Sequence, residues 1–267
     1  MDRIQIIGGT PLYGDIPIGG AKNAALPLMA ASMLTEEILE ISNLPDLADI
    51  SAMLNLLESH GVKIKLSGNT VSKDRLVSLD SSDIKNIRAE YDLVRKMRAS
   101  VLVMGPLLAR FGEACVSLPG GCAIGTRPIN LHLSGLEKMG AIIEIENGYV
   151  YAKAPKGLSG NIIRFPTVSV GATENIMMAA SLASGETIIE NAAREPEIVD
   201  LAKCLSMMGA IIEGVGTSDI RISGQSSLSG GKHKVIPDRI EAATYAMAGA
   251  MTKGEVRLVG VDPSIMG

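Results

Sequence analysis

The most chemically pointed stretch of the chain is Leu118-Pro119-Gly120-Gly121-Cys122-Ala123-Ile124-Gly125-Thr126-Arg127-Pro128, a thiol set among glycines. Two glycines before Cys122 and one after it disfavour a regular strand and favour an exposed loop. A thiol in such a loop reaches solvent. Arg127 could stabilise its thiolate or hold an anionic substrate beside it. The competing reading makes Cys122 a small hydrophobe, the role expected for Cys115 in a strand pattern and for Cys204 on an apolar helix face.

Three further stretches could meet an anion. Gly19-Gly20-Ala21-Lys22-Asn23-Ala24 reads as a turn entering a helix, where backbone N–H groups and Lys22 would favour negative charge; a plain turn with a solvated lysine is the alternative. It lacks the spacing of a phosphate-binding P-loop. Arg95-Lys96-Met97-Arg98 places Arg95 and Arg98 three apart on one expected helix face, as a phosphate clamp or as solvated charge. Pro166-Thr167-Val168-Ser169-Val170-Gly171-Ala172-Thr173 turns into a helix and offers hydroxyls and backbone donors, which could bind a ligand or simply cap the helix. No Ser-His-Asp set stands out, the three histidines lie in unrelated contexts, and the cysteines lack zinc-site spacing, so no metal is expected.

The elements that must hold these residues repeat. Leu56-Leu57-Glu58-Ser59-His60-Gly61-Val62-Lys63-Ile64, Leu136-Glu137-Lys138-Met139-Gly140-Ala141-Ile142-Ile143 and Leu205-Ser206-Met207-Met208-Gly209-Ala210-Ile211-Ile212 each read as an amphipathic helix closed by glycine and followed by a strand. A second short strand is expected after each, at 70–72, 149–152 and 219–222. Upstream strands are expected at 38–41, 115–118 and 187–189, and the first helix of the middle copy at 96–109. The unit is β-α-β-α-β-β, roughly 70–80 residues, present three times. A fourth copy starts with a strand at 235–237, a helix at 239–251 and a strand at 255–259, and the sequence stops before its second helix. The expectation is an α/β (α+β) chain that forms the front portion of a longer protein.

The 267 residues are 46% apolar with a net charge of −4, no Trp, 2 Phe and 5 Tyr, so the core must be aliphatic and a generally basic nucleic-acid binder is excluded. No apolar run reaches the ~18 residues of a membrane helix, and the first residues carry no signal-peptide pattern. Sparse cysteine suits a reducing cytoplasm.

Taken together, Gly-Gly-Ala-Lys22-Asn23-Ala, Arg95-Lys-Met-Arg98-Ala-Ser, the Cys122 loop, Ser169-Val-Gly-Ala-Thr, Asn191-Ala-Ala-Arg-Glu195-Pro-Glu197-Ile-Val and Pro237-Asp238-Arg239-Ile-Glu resemble the UDP-N-acetylglucosamine 1-carboxyvinyltransferases. These are enolpyruvyl transferases that begin bacterial peptidoglycan synthesis, and the resemblance runs along nearly the whole chain. It implies an inside-out α/β barrel-like fold of two domains, with residues 22–233 as the first domain and 1–21 plus 234–267 as an incomplete second. It also implies transfer of enolpyruvyl from phosphoenolpyruvate to the 3-hydroxyl of UDP-N-acetylglucosamine, with no cofactor, in the cytoplasm, and fosfomycin as a ligand. Cys122 would be the catalytic acid, and Lys22, Arg98 and Arg127 would bind phosphoenolpyruvate. Asn23, Arg98, Arg127, Pro128, Ile129, Asn130, Leu131, Ser169, Val170 and Gly171 would bind the UDP-sugar, with Glu195, Glu197 and Arg239 in support. Two departures matter: Thr167 stands where many relatives place Lys, and the family's Asp base would lie beyond Gly267. The expectation is therefore a chain with weak or no turnover, weighed against a UDP-sugar-binding fragment and a non-catalytic paralogue.

Overall fold

The fold is described from a computed structural model covering residues 3–68, 75–95, 97–118 and 129–266. The chain runs through β1 (Tyr13–Pro17), α1 (Lys22–Ala31), β2 (Leu39–Ser42), α2 (Ala48–His60), β3 (Lys63–Ser67) and β4 (Leu76–Asp80). It continues with β5 (Arg88–Ala89), α3 (Tyr91–Val94), a 3-10 stretch Arg98–Val103 running into α4 (Met104–Phe111), β6 (Glu113–Ser117), α5 (Asn130–Lys138), β7 (Ile142–Glu146) and β8 (Tyr149–Lys153). Then follow β9 (Ile162–Arg164), α6 (Val170–Ala180), β10 (Glu186–Glu190), α7 (Pro196–Met207), β11 (Ile211–Glu213) and β12 (Asp219–Ser223). The last elements are β13 (Gly231–Lys234), α8 (Arg239–Met251) and β14 (Glu255–Val259).

The expected repetition is visible as three four-stranded sheets of one topology, ordered β13-β2-β4-β3, β5-β6-β8-β7 and β9-β10-β12-β11. In each, the outer strand pairs parallel with its neighbour and the remaining pairings are antiparallel. A parallel pairing needs a crossover, and the first helix of the unit supplies it in the second and third sheets. The first sheet borrows its parallel strand from far down the chain: β13 sits beside β2 with Lys234 opposite Ser42. Equivalent asparagines pin these crossings. Asn43 and Asn191 both adopt positive φ (57° and 58°), and each donates its side-chain amide to a backbone carbonyl, that of Val235 or of Phe165, at 2.9 Å.

The core lies between the sheets. Residues Ala24 to Ala31 of α1 and Ala172 to Ala180 of α6 are buried, so both helices are enclosed nearly all round, α6 with three polar residues, Thr173, Glu174 and Asn175, inside. Helices α2, α5 and α7 are the amphipathic second helices. The glycines predicted to end them do so in the left-handed region, at φ 106° for Gly61, 97° for Gly140 and 109° for Gly209.

Several boundaries differ from expectation. Arg95 and Arg98 do not share a helix face: α3 ends at Val94, Met97 is extended, and Arg98 opens a 3-10 stretch. Arg95 instead pairs with Asp92 at 3.1 Å. The strand expected at 235–237 forms earlier, as β13, because the ladder with β2 takes residues 231–234. The strand expected at 70–72 falls outside the described residues. Helix α8 and β14 have the expected bounds, and β1 pairs with β14 in parallel, Tyr13 opposite Glu255, as a separate two-stranded sheet. Helix α8 buries only Ala242 and Gly249, and leaves Met247 and Met251 exposed. Among the described residues no helix is long and apolar enough to cross a membrane.

Candidate functional site

The repeats put three of the motifs at one structural position, the start of a unit's first helix. Lys22 opens α1, Arg98 opens the 3-10 stretch leading into α4, and Ser169-Val170-Gly171 opens α6. Helix α1 packs against both of the other two. Cys122, Arg127 and Pro128 lie outside the described residues, so the thiol's position relative to these starts is not described.

The α1 start is closed by carboxylates. Gly20 is required because a Cβ there would sit 1.9 Å from the carbonyl oxygen of Asn43. The Lys22 N–H donates to Asp238 Oδ2 at 3.3 Å, and the Gly19 N–H to Glu241 Oε2 at 3.0 Å. Asp238 also caps α8, accepting from Ile240 and Glu241. Lys22 Nζ reaches Asp49 Oδ2 at 2.8 Å in a pair open to solvent. Arg239 forks onto Glu197, Nε to Oε1 at 3.0 Å and Nη2 to Oε2 at 3.2 Å. The motifs around Lys22, Arg239 and Glu197 thus share one region, where each cation already has a carboxylate. The expected free N–H groups at this helix start are partly taken by Asp238. Asn23 is exposed at the same end.

The α6 start is built from neutral polar groups. Ser169 Oγ caps it, accepting from Ala172 N at 3.3 Å, so the capping role holds for this hydroxyl. Thr173 Oγ1 accepts from Ala193 N at 3.1 Å, tying the helix to the segment before Glu195. Thr167 and Val168 are exposed just ahead of it. Against this start lies a residue the sequence reading passed over. His132, on α5 two residues after Asn130 and one after Leu131, is 5% exposed. A Cβ on Gly171 would sit 3.3 Å from its Cε1 and 3.4 Å from its Nε2. Burial, with the positive charge of Arg98 added, pulls its pKa down to about 4. His132 Nδ1 is 3.0 Å from Asn175 Nδ2. The available signal was a histidine flanked by leucines, Leu131-His132-Leu133, next to motif residues; the second half of the signal, Asn175 ahead of the apolar run 176–180, becomes meaningful only once α4 and α6 are seen in contact.

Glu174, one residue before Asn175, is buried and held well above the ordinary carboxyl value by burial, then by Glu197 and Glu195. Glu195 and Glu197 therefore lie near Glu174 of α6, and Glu197 also meets Arg239 of α8. Cys115 and Cys204 are buried with raised pKa values, Cys204 to about 12, chiefly through loss of hydration. That suits the hydrophobe reading for both.

A cavity of about 590 Å³ opens beside the α1 start, between the 43–47 turn, Arg75 and α8, and touches none of the expected ligand-binding side chains. Its charged lining is Asp46, Asp238, Glu241 and Arg75, and Arg75 is paired to Asp46. A polyanion finds little there. Among the described residues no cluster of metal-ligating side chains occurs.

The chain matches the protein-family model described as EPSP synthase (3-phosphoshikimate 1-carboxyvinyltransferase) over residues 6–267. A Rhodospirillum centenum protein named UDP-N-acetylglucosamine 1-carboxyvinyltransferase is 63% identical over 265 residues, which is 97% of this chain and 61% of the relative. A Paramagnetospirillum magneticum protein of the same name is 59% identical over 269 residues, covering 100% of this chain and 62% of the relative. The chain thus spans about three fifths of the length of these curated relatives. Among solved structures, the enolpyruvyl transferase NikO from Streptomyces tendae aligns with a TM-score of 0.77 at 22% identity, over 89% of this chain and 55% of that one. EPSP synthase from Acinetobacter baumannii aligns with a TM-score of 0.75 at 21% identity, over 96% of this chain and 58% of that one. At such identities these two speak to the fold alone. With three sheets of one topology, buried first helices and a family match that runs from residue 6 to residue 267, the chain belongs to the EPSP synthase family.

Proposed function

We propose that the chain serves the transfer of enolpyruvyl from phosphoenolpyruvate to the 3-hydroxyl of UDP-N-acetylglucosamine, with release of phosphate, as a cytoplasmic step of peptidoglycan synthesis. The observation that carries this reading is the 63% identity, over 97% of the chain, to a protein named for that reaction. The division of labour follows the two helix starts. Lys22 and Arg98, with Arg127, would bind phosphoenolpyruvate, matching fixed cations to its phosphate and carboxylate. Asn23, Ile129, Asn130, Leu131 and the Ser169-Val170-Gly171 turn would hold the UDP-sugar, with Arg98, Arg127 and Pro128. Residues 22–233 would form one domain and residues 1–21 with 234–267 part of a second, joined where Arg239 meets Glu197.

In the reaction the Cys122 thiol gives its proton to the CH2 of phosphoenolpyruvate, leaving an oxocarbenium-like carbon that keeps its phosphate. The sugar hydroxyl attacks that carbon as its own proton leaves to a base. Loss of a methyl proton and cleavage of the carbon–oxygen bond to phosphate then restore the double bond. The thiolate can instead attack the same carbon, giving a covalent phospholactoyl adduct. Pairing of Lys22 with Asp49 means that an incoming phosphate has to draw the ammonium away from an exposed carboxylate, a modest cost at such exposure.

The test is intact-mass measurement of the chain after incubation with fosfomycin, with and without UDP-N-acetylglucosamine, followed by peptide mapping, alongside phosphate release from phosphoenolpyruvate. A single adduct on Cys122, enhanced by the sugar nucleotide, is expected. Absence of both adduct and sugar-nucleotide binding overturns the proposal.

A further inference from the structure

The buried amide of Asn175 has only one possible orientation. Its Oδ1 accepts from the Gly105 N–H at 2.8 Å, and its Nδ2 donates to the Val101 carbonyl at 3.1 Å. Backbone groups cannot exchange these roles, so the amide cannot be flipped. The second Nδ2 proton is the one that meets His132 Nδ1 at 3.0 Å. Nδ1 must then carry a lone pair, and the proton of the neutral ring sits on Nε2. That nitrogen lies on the ring edge facing Gly171, at the first turn of α6, in the neighbourhood of Arg98.

We infer that Asn175 is a positioning residue: it locks His132 as the neutral Nε2–H tautomer, so that the imidazole offers a hydrogen-bond donor to the sugar nucleotide's diphosphate beside the α6 start. This rests on the proposed UDP-sugar site. Its physical logic is that a neutral donor grips the anion without a charge that would come and go with pH. The groups around His132 agree. Burial opposes protonation of the ring and Arg98 opposes it further, so the ring is neutral throughout the neutral range. On α6, Glu174 is governed by its own burial and then by Glu197 and Glu195. Beneath α5, Glu144 and Glu146 of β7 are exposed, and Arg164 of β9 is paired with Glu190. Gly105 is part of the same device, since a Cβ there would meet Asn175 Oδ1 at 2.2 Å and leave no room for the amide.

The direct test is nitrogen NMR of the full chain, labelled at histidine, with UDP-N-acetylglucosamine as the probe. The expected result is a neutral ring protonated at Nε2 near neutral pH, with the Nε2 resonance moving on saturation by the sugar nucleotide. A ring protonated at Nδ1 or at both nitrogens overturns the inference, as does an unmoved resonance while the nucleotide binds. Failure of the nucleotide to bind at all overturns the proposed function instead, and the inference with it. A second measurement uses Asn175→Asp, whose carboxylate would draw the proton to Nδ1. In that variant the diphosphate would lose its donor as the ring deprotonates, so affinity should weaken about tenfold between about pH 6 and about pH 8.5, whereas the parent should change less than about twofold. A purely structural role for Asn175 predicts a pH-independent loss, and a flat profile in a folded variant contradicts the inference.

Discussion

The starts of α1 and α6 occupy the same place in two copies of one unit, yet they are built from opposite chemistry. At α1, Lys22 and Arg239 are each met by a carboxylate, Asp49 or Glu197, and the helix start itself is occupied by Asp238. At α6, the polar groups are a serine cap, a threonine tie and the uncharged His132–Asn175 pair, with Arg98 close by. A repeated backbone thus fixes where donors and cations can stand, while local side chains decide whether a start is already neutralised from within. Under the proposed function, the α1 end would exchange internal ion pairs for ligand, whereas the α6 end would present a donor that is already oriented.

The strongest way to break the contrast is to remove the close approach on which the neutral end depends. Gly105→Ala should destabilise the chain by about 3 kcal/mol, because the new methyl would overlap Asn175 and neither helix backbone can yield cheaply. Urea unfolding measures this, and a change within about 0.5 kcal/mol would mean that the α4–α6 contact is looser than described.

A smaller effect should sharpen the difference in charge. Glu174 has a folded-state pKa raised above its ordinary value of 4.5, so it binds its proton more tightly folded than unfolded. Its contribution is fully present below that value and is lost as pH rises through the raised one. Glu174→Gln should therefore match the parent in urea near about pH 4 and become progressively the more stable of the two toward about pH 8. Parallel stability curves for the two proteins would show that Glu174 is better compensated than its neighbours Glu195 and Glu197 allow.

The smallest expected effect on stability belongs to the α1 end. Asp49→Asn removes an exposed partner of Lys22 and should alter unfolding free energy by less than about 0.5 kcal/mol. It should nevertheless tighten binding of inorganic phosphate or phosphoenolpyruvate by a few fold, read by calorimetry, since the ammonium no longer has to be released. Weaker binding would place Asp49 on the ligand's side rather than against it.

Much of this was legible in the residues. The glycine-closed helices, the short strands after them and the bounds of α8 and β14 follow from local signals that tertiary contacts reinforce, as the cap of Asp238 on α8 does. Two kinds of feature were not legible. The parallel strand of the first sheet comes from β13, nearly two hundred positions after β2, and no local pattern announces a partner at that distance. The His132–Asn175 pair depends on α4 passing close to α6 at Gly105, so its polar side chains look anomalous until the helices are packed. The helix face expected to be shared by Arg95 and Arg98 failed for a third reason: the backbone extends at Met97, which separates side chains that helical spacing would have aligned.

The most direct test of the account is hydrogen–deuterium exchange of the full chain with and without UDP-N-acetylglucosamine. The account predicts slowed exchange at residues 98–101, 129–133 and 169–173, with the 43–47 turn and residues 240–245 around the neighbouring cavity unchanged. Protection confined to that cavity, with none at the α6 start while the nucleotide is bound, would contradict it.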